Sequence, residues 1–308
     1  MLVRRTAISL AIAVFWLAMM GLLVRDYVAQ RRKPYDLPEL SPERLTEQWR
    51  DFEEWMTLKI GRRSEGVSYT TIRRLAARAG YLACNRTWLE LDILGRHTFR
   101  LQTVALLDSA FYLRRAFADV RLDESQMHFT ALVTRAQLLY RWQYEEQTRV
   151  GFQNLERPIS LLEAVRPLVG RHLDLKVGTV RRVPVLDSTW SLHEGWAEVR
   201  VEARERIPLG GKTVEAYRLA IQLGRFTSTI WVNEQGEALR RQFANITMER
   251  VEPQEARERF PGIDAPVETP SVKVSDFQLP EGESTSLGEN VGPLSLLLNL
   301  FRQPPNDR

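Results

Sequence analysis

The chain has one cysteine and four histidines among its 308 residues, and this scarcity limits the chemistry it can carry. A single cysteine excludes an intramolecular disulfide and any C-x-x-C metal or redox site. The histidines are scattered without metal-ligand spacing: His97, His128, His172 and His193. Only His193-Glu194, next to Asp187, is mildly suggestive. A satisfied or exposed histidine is the simpler interpretation at each position.

Motifs for nucleotide binding and hydrolysis are also missing. Neither G-x-x-x-x-G-K-[ST] nor G-x-G-x-x-G occurs, so no phosphate-binding loop is predicted. H-E-x-x-H and G-x-S-x-G are absent, which removes two signatures of hydrolases. A thiol enzyme would need Cys84 beside a histidine such as His97, which could lie across a hairpin, but no other feature supports that pair. We therefore predict a non-enzymatic protein with no catalytic residues, no cofactor and no metal site.

The excess of basic charge lies at the amino-terminal end. The net charge is +4, and residues 1–33 hold all of that excess against Asp26 alone. The basic residues of this stretch are Arg4, Arg5, Arg25, Arg31, Arg32 and Lys33. In the remainder, acidic residues outnumber basic ones by one. Because a nucleic-acid-binding domain keeps a basic excess in its folded part, we predict no nucleic-acid partner.

A charge-free apolar run extends over residues 6–24. As a helix it would span roughly 28 Å, close to the thickness of the hydrocarbon core of a bilayer. A cleaved signal peptide is one alternative. Signal peptides, however, have a shorter apolar run than 6–24 and carry a small-x-small cleavage site after it, which this sequence lacks. A buried core helix is the other, although this run is apolar on every face. We predict an uncleaved membrane anchor at 6–24.

The orientation of this anchor is less clear from charge. Arg4 and Arg5 favour residues 1–5 in the cytoplasm, whereas Arg31, Arg32 and Lys33 place positive charge on the other side. A short amino-terminal tail before a first apolar helix is typical of a signal anchor. We therefore expect a single-pass protein of the bacterial inner membrane, with the bulk of the chain extracytoplasmic or periplasmic and residues 25–40 as a linker.

Two-residue periodicity dominates the sequence from Glu54 to Met248. Ala197, Val199, Val201 and Ala203 alternate with charged residues, which predicts a strand with one buried face. Turns are predicted at 61–66, 209–212 and 233–237. Successive strands without intervening long helices predict a curved antiparallel β-meander or half-barrel, so the fold class is mainly β (α+β). The predicted extracytoplasmic domain covers 41–252.

Two short helices interrupt this pattern. Ser41-Pro42-Glu43 gives an amino-terminal cap and early acid, and apolar residues at helical spacing predict a helix over about 42–53. Pro158 to Val165 predicts a second helix, which stops before Pro167 and Gly170. Six tryptophans fall in the β region, and most are expected in the core: Trp55, Trp88, Trp142, Trp190, Trp196 and Trp231.

From Pro253 to the end, no periodicity is sustained. Residues 253–308 are rich in Pro, Glu, Ser and Gly, which predicts a mobile tail. The apolar segment 294–301 is too short to cross a bilayer. It could dock on a protein partner, a groove or the membrane surface, or pack on its own domain.

Two stretches resemble a known group of bacterial domains. The first is W-M-T-L-K-I-G-R from Trp55, continued by G-V-S-Y from Gly66. The second is K-T-V-E-A-Y-R-L from Lys212, followed by T-I-W-V-N-E-Q-G-E-A-L-R from Thr229. Both are similar to the opening and closing hairpins of a domain of unknown function. That domain occurs ahead of transglutaminase-like domains and also alone behind a membrane anchor.

The resemblance covers about 54–250 and implies a relation in fold to the LolA/LolB-like half-barrels, which carry lipoproteins in Gram-negative envelopes. Nothing like a transglutaminase Cys–His–Asp core follows residue 250, so it implies no peptidase activity. A half-open sheet with an apolar interior is a natural site for an acyl chain or another lipid-like ligand. We expect an envelope protein that binds such a ligand or a protein partner. A structural or scaffolding subunit of an envelope or secretion complex, binding through the tail, is the alternative.

Overall fold

The computed structural model describes residues 37–265, apart from 48, 62–63, 77–79, 93–95, 135, 146, 188–192 and 225, together with Phe277. A compact unit begins at Glu39. The predicted anchor at 6–24 and the apolar segment at 294–301 lie outside the described residues. No helix within the described ranges is both long and apolar enough to cross a bilayer.

The described residues form one mainly β structure, a curved open sheet of fifteen strands with two α-helices. The first eight strands are β1 (Phe52–Ile60), β2 (Ser64–Arg74), β3 (Tyr81–Asp92), β4 (Arg96–Leu107), β5 (Leu113–Leu122), β6 (Ser125–Thr134), β7 (Gln137–Tyr144) and β8 (Gln147–Asn154). The others are β9 (Ser160–Leu161), β10 (Val180–Asp187), β11 (His193–Leu209), β12 (Lys212–Leu223), β13 (Phe226–Val232), β14 (Ala238–Phe243) and β15 (Ile246–Arg250). The helices are α1 (Leu162–His172) and α2 (Pro253–Arg259).

The first strand lies in the middle of the sheet. The spatial order is β8-β7-β6-β5-β4-β3-β2-β1-β15-β14-β13-β12-β11-β10-β9, so β8 and β9 are the two edges. Neighbours pair antiparallel except β9 and β10, which are parallel. The predicted antiparallel meander is confirmed. The pairing of β1 with β15, in which Met56 lies opposite Arg250, joins the two runs of the meander into one sheet.

Strand alternation buries one face of the sheet, as β11 illustrates. Ala197, Val199 and Val201 are each at most 1% exposed, while Arg200 points to solvent, as predicted. A β-bulge between Val201 and Ala203 inserts an extra residue and reverses the alternation. The prediction that Ala203 shares the buried face is therefore wrong, and Ile207 is buried on the opposite face instead.

The main core lies on the concave face of the sheet. It contains buried side chains from β1 to β7 and from β9 to β14, together with those of α1. Residues from strands far apart in the sheet therefore share one core, which shows that the sheet curves around it. The predicted core positions Trp55, Trp88 and Trp231 lie on the other, convex face.

Helix α1 differs from the predicted helix at both ends. It begins at Leu162 and continues through Pro167 to His172. Proline removes a backbone hydrogen bond from a helix interior, which led to the prediction of a stop before it. The helix continues because it is buried: Leu168 and Val169 are each 2% exposed, and Gly170 packs on the backbone of Gly236. Burial outweighs the local cost of the proline.

The first predicted helix is also shorter than expected. Only Pro42–Thr46 is helical, as a 3₁₀ turn, and the chain is extended from Phe52. Trp49 instead packs against Tyr81, with ring centroids 4.4 Å apart, and against Phe111 at 6.0 Å. These tertiary contacts hold the segment out of the helix that its sequence spacing predicts.

The folded part continues past residue 252, where the sequence analysis placed its end. Helix α2 and the turns up to residue 265 cover the convex face of β1 to β3, and we call residues 251–265 the strap. Ala256 and Ile263 pack there with Trp55, Val67 and Tyr69. Phe277 is 7% exposed in a second convex cluster with Cys84. The strap is thus part of the domain, not of a mobile tail.

Ile263→Ala tests the structural role of the strap. Ile263 is 0% exposed, so truncating it should lower the free energy of unfolding by about 2 to 4 kcal/mol in urea denaturation. The control is Val177→Ala, because Val177 is 59% exposed and such surface changes cost less than about 0.5 kcal/mol. Equal denaturation midpoints for the two variants would show that the strap does not contribute to stability.

Candidate functional site

A row of polar side chains crosses the middle of the concave face. Glu54, Thr70, Asn85 and Thr103 are direct cross-strand partners on β1 to β4. The same line of cross-strand partners continues through the core residues Ala118, Phe129 and Trp142 to the exposed Arg149 on β8. We call its first four positions, from Glu54 to Thr103, the polar row. Direct partners project to the same face, so the row places hydrogen-bonding groups inside an otherwise apolar concavity.

Hydrogen bonds between side chains order the centre of this row. The Asn85 Nδ2 donates to the Thr70 Oγ1 at 2.8 Å and to the Ser68 Oγ at 2.9 Å. The Thr87 hydroxyl donates to the Asn85 Oδ1 at 3.2 Å. Ser68 and Thr70 are 3% and 6% exposed. Buried polar groups normally find such partners, and together these fix the side-chain positions on this part of the concave face.

On one side of the polar row, small side chains make the sheet smooth. Ala83, Ala105, Ala116 and Ala131 are direct partners on β3 to β6, and all four are buried in the main core. Large buried side chains complete this end: Phe52, Ile72, Leu107, Leu113 and Leu138. We call it the closed end, because each of these large residues is at most 3% exposed.

On the other side of the polar row, apolar side chains of the concave face are only half-buried. We call this end, at the β1–β2, β3–β4, β5–β6, β12–β13 and β14–β15 hairpins, the open end. Its half-buried residues are Ile60, Leu91, Phe99, Leu122, Leu223, Phe226, Phe243 and Ile246. Phe226 and Phe243 face each other with ring centroids 6.3 Å apart. The concave face is thus closed at one end and presents apolar side chains to solvent at the other.

A group of charged side chains lies at the β1, β14 and β15 side of the polar row. The Glu54 carboxylate pairs with the Arg241 guanidinium at 2.6 Å, and their side chains are 6% and 12% exposed. Glu237 accepts hydrogen bonds from Arg171 of α1 at 3.1 Å and from Arg250 of β15 at 2.8 Å. We call these five residues the charged cluster. It holds three guanidinium groups and two carboxylates.

Burial and charge act on Glu54 in opposite directions. Desolvation by burial raises the pKa of Glu54, whereas the guanidinium groups of Arg241, Arg250 and Arg171 oppose that rise. A buried carboxylate at this depth is stable only because a cation is held against it. Glu54 and Arg241 are therefore mutually dependent.

Glu237 predicts a pH dependence of stability. The hydrogen bond from Arg250 holds the pKa of Glu237 below its ordinary value of 4.5. A carboxyl whose pKa falls on folding stabilises the protein above its unfolded-state pKa, and this contribution is lost as the pH falls through the lower folded-state pKa. Urea denaturation at pH values from about 7 to 3 should therefore show Glu237→Gln less stable than the wild type near neutrality, with the difference shrinking in acid. A difference that stays constant over this range would contradict the assignment.

Cys84 and His97 are not brought together. Cys84 lies opposite Val104 on the convex face, whereas His97 pairs with Leu91 and belongs to the concave face. His97 is instead bonded to the Asp123 carboxylate at 2.7 Å. Burial raises the pKa of the Cys84 thiol, which disfavours the reactive thiolate. Cys84 lines a pocket of about 210 Å³ under residues 264–265, with Arg73 and Arg86 on its walls.

The other sequence-predicted positions do not converge either. His128 is exposed and lies 3.8 Å from Asp119, and burial lowers the pKa of the half-buried His172. Asp187 and His193 are backbone partners at the β10–β11 hairpin, but the side chains of Asp187, His193 and Glu194 lie outside the described residues. Across the described ranges, no group of three or more His, Cys, Asp or Glu could hold a metal ion.

Sequence reasoning missed the polar row and the charged cluster. Ser68, Thr70, Asn85 and Thr87 occupy inward positions of two adjacent strands, and this alternation of small polar residues was the available signal. Nothing local marks Glu54, because its partner Arg241 is far away in the chain. Because the sequence analysis predicted no active site, it described the concave face only as an apolar interior.

Comparisons with known proteins give structural neighbours of unknown function. No protein-family model matches the chain, and neither does any curated protein. It is similar to a β-barrel-like protein of the domain of unknown function DUF1849 from Brucella abortus, at 10% identity and a TM-score of 0.46, covering 65% of this chain and 95% of that one. It is also similar to a DUF1089 family protein from Pseudomonas aeruginosa, at 15% identity and a TM-score of 0.29, covering 57% and 88%.

Proposed function

We propose that this chain is a non-enzymatic binding protein of the bacterial envelope, whose curved sheet takes an apolar, lipid-like ligand through its open end. One observation carries the proposal. Concave-face apolar side chains, among them Phe226, Phe243 and Ile246, are half-buried at the open end, whereas those of the closed end are buried. Ligand sites are commonly concave and apolar with a few placed polar groups, and the polar row supplies such groups.

The apolar run at 6–24 supports the location of this binding protein at the membrane. A domain tethered to a bilayer through this run would meet acyl chains at a high effective concentration. We propose that the sheet lies on the extracytoplasmic side. A reporter enzyme that is active only outside the cytoplasm should be active when it is fused at residue 200. If a reporter that is active only inside the cytoplasm works at this position, or if the mature chain begins after residue 24, this arrangement is excluded.

Photolabelling of the full chain in membrane vesicles tests the binding function. The probe is a hexadecanol analogue that carries a photoreactive diazirine near the middle of its chain. Phe243→Glu places a carboxylate among the apolar side chains of the open end, and we expect it to lower labelling of residues 52–250 by at least about fivefold, because a buried charge disfavours an apolar ligand. Val177→Glu, at an exposed position, is the matched control. Equal labelling of both variants would refute an apolar site at the open end.

The alternative function is that of a scaffolding subunit which binds a partner through its carboxy-terminal apolar segment. Leu294 to Phe301 motivates this alternative, because six of its eight residues are apolar and only Ser295 and Asn299 are polar. Since the strap and Phe277 belong to the folded domain, the deletion that tests it is 278–308. This deletion should release a co-purifying protein and leave photolabelling of the sheet unchanged. Loss of labelling without loss of a partner would argue against scaffolding.

A further inference from the structure

We propose that Arg241 binds the carboxylate of a long-chain fatty acid, so that the ligand of the concave face is an acid and not a neutral lipid. This inference rests on the proposed function and names the ligand class of the same site. Three features of Arg241 support this inference. They are the net charge of the surrounding cluster, the hydrogen bonds of its guanidinium group, and its position between the polar row and the open end.

The charged cluster has an excess of one positive charge. Arg171, Arg241 and Arg250 all act electrostatically on Glu54, and Glu237 is the second carboxylate of the cluster. Arg250 is 44% exposed and therefore screened by water, whereas the Arg241 side chain is only 12% exposed. One anion bound beside Arg241 would neutralise the excess charge and stabilise the more buried guanidinium group. A carboxylate supplies that charge, whereas an alcohol or a neutral ester does not.

Arg241 also has hydrogen-bonding capacity left. Its Nε is buried and has no hydrogen-bond partner within the described ranges, while one of its terminal nitrogens faces Glu54 at 2.6 Å. A guanidinium group presents several N–H donors in a rigid planar fork that matches a carboxylate. A ligand carboxylate that displaces the side chains covering the Nε would find there a donor without a hydrogen-bond partner. Hydrogen bonds to charged groups are stronger than neutral ones, which would favour an acid over an alcohol.

The position of Arg241 joins this polar contact to the apolar open end. On β14 it lies directly opposite Met248 of β15 and Ile230 of β13. Phe243 is two residues further along the same face of β14, toward the open end, and its ring neighbours Phe226. A carboxylate at Arg241 would thus leave its acyl chain beside these two phenylalanines.

Stability alone gives little reason for a buried ion pair here. Replacing such a pair with apolar side chains of similar volume is often neutral or stabilising. Glu54 and Arg241 nevertheless stand in the middle of an apolar face. A role in ligand binding accounts for the pair, because Glu54 holds the guanidinium group in place while the buried Nε has no hydrogen-bond partner within the described ranges.

Competition between two matched ligands tests the proposal. Dodecanoate and 1-dodecanol have the same chain length and differ in the headgroup. Each is titrated against photolabelling of residues 52–250 of the full chain by the diazirine hexadecanol probe. In the wild type, dodecanoate should compete at a concentration at least about tenfold lower than 1-dodecanol. In the double variant Glu54→Met/Arg241→Met, which keeps the volume and removes both charges, this ratio should fall to about twofold or less. The concentration of 1-dodecanol that competes serves as the reference within each variant, so only the ratio of the two ligands is compared between variants.

The control variant and the outcomes separate the two proposals. Arg218→Met removes an arginine from the convex face, where Arg218 pairs with Glu202 and Glu205, and it should keep the wild-type ratio. Equal competition by both ligands in the wild type, or a ratio that survives in the double variant, overturns the assignment to Arg241 and leaves the binding function standing. If residues 52–250 are not labelled at all, the binding function itself fails.

Discussion

Gly236→Ala is expected to destabilise the domain severely, by about 2 to 5 kcal/mol, or to prevent folding. Gly236 has a φ of 75° and lies in the turn between β13 and β14. A β-carbon there would overlap the backbone of Gly170 and Arg171 in α1. The left-handed conformation costs a non-glycine residue about 1 to 2 kcal/mol, and overpacking adds about 1 to 3 kcal/mol.

The control for this substitution is Gly210→Ala. Gly210 also has a left-handed φ, of 54°, but a β-carbon there would meet no atom within 4 Å. Gly210→Ala should therefore lose only the conformational part, about 1 to 2 kcal/mol. The measurement is urea denaturation of both variants. Equal losses would show that close packing between α1 and the β13–β14 turn does not hold the closed end together.

The second large effect concerns the Glu54–Arg241 pair. Glu54→Met alone should lower the free energy of unfolding by about 3 to 5 kcal/mol, because it leaves a buried guanidinium without its carboxylate. Arg241→Met should cost a similar amount. The double variant Glu54→Met/Arg241→Met should regain most of the loss and lie within about 1 to 2 kcal/mol of the wild type.

A double-mutant cycle measures this coupling. The variants are unfolded in urea at a single pH near neutrality, and the interaction energy is the deviation from additivity. We expect a deviation of at least about 2 kcal/mol. Additive losses would mean that Glu54 and Arg241 stabilise the domain independently, which would contradict their assignment as a coupled ion pair.

The strands could be predicted from the sequence because their signal is local. Val199 and Val201 alternate with Arg200, and the turn at 233–237 contains Gly236 at a position that requires a positive φ. The meander order follows from short connections between successive strands. Each of these features depends on residues that are close together in the chain.

The remaining parts of the fold depend on contacts between distant residues. Helix α1 passes through Pro167 because its apolar side chains are buried against the sheet. The bulge after Val201 is set by pairing with β12. Ile263 looks like part of a polar tail in sequence, yet it is buried against β1 to β3. No local pattern carries this information.

The candidate site was even less visible than the fold. In the sequence, Glu54 lies between Glu53 and Trp55, and two adjacent glutamates suggest positions that are exposed to solvent. Its burial depends on Arg241, and their proximity depends on the pairing of β1 with β15 and of β15 with β14. The half-buried apolar residues of the open end also require the register of several hairpins at once. Only the general prediction of an apolar concavity was accessible.

Mapping where the photoreactive probe becomes attached tests the central claim most directly. Membrane vesicles that contain the full chain are irradiated with the diazirine hexadecanol analogue, and the modified peptides are located by mass spectrometry. Binding through the open end predicts labels on the concave strands around Leu223, Phe226, Phe243 and Ile246, which excess 1-dodecanol removes. Labels confined to residues 6–24 or to the convex strap at 251–265 would contradict it.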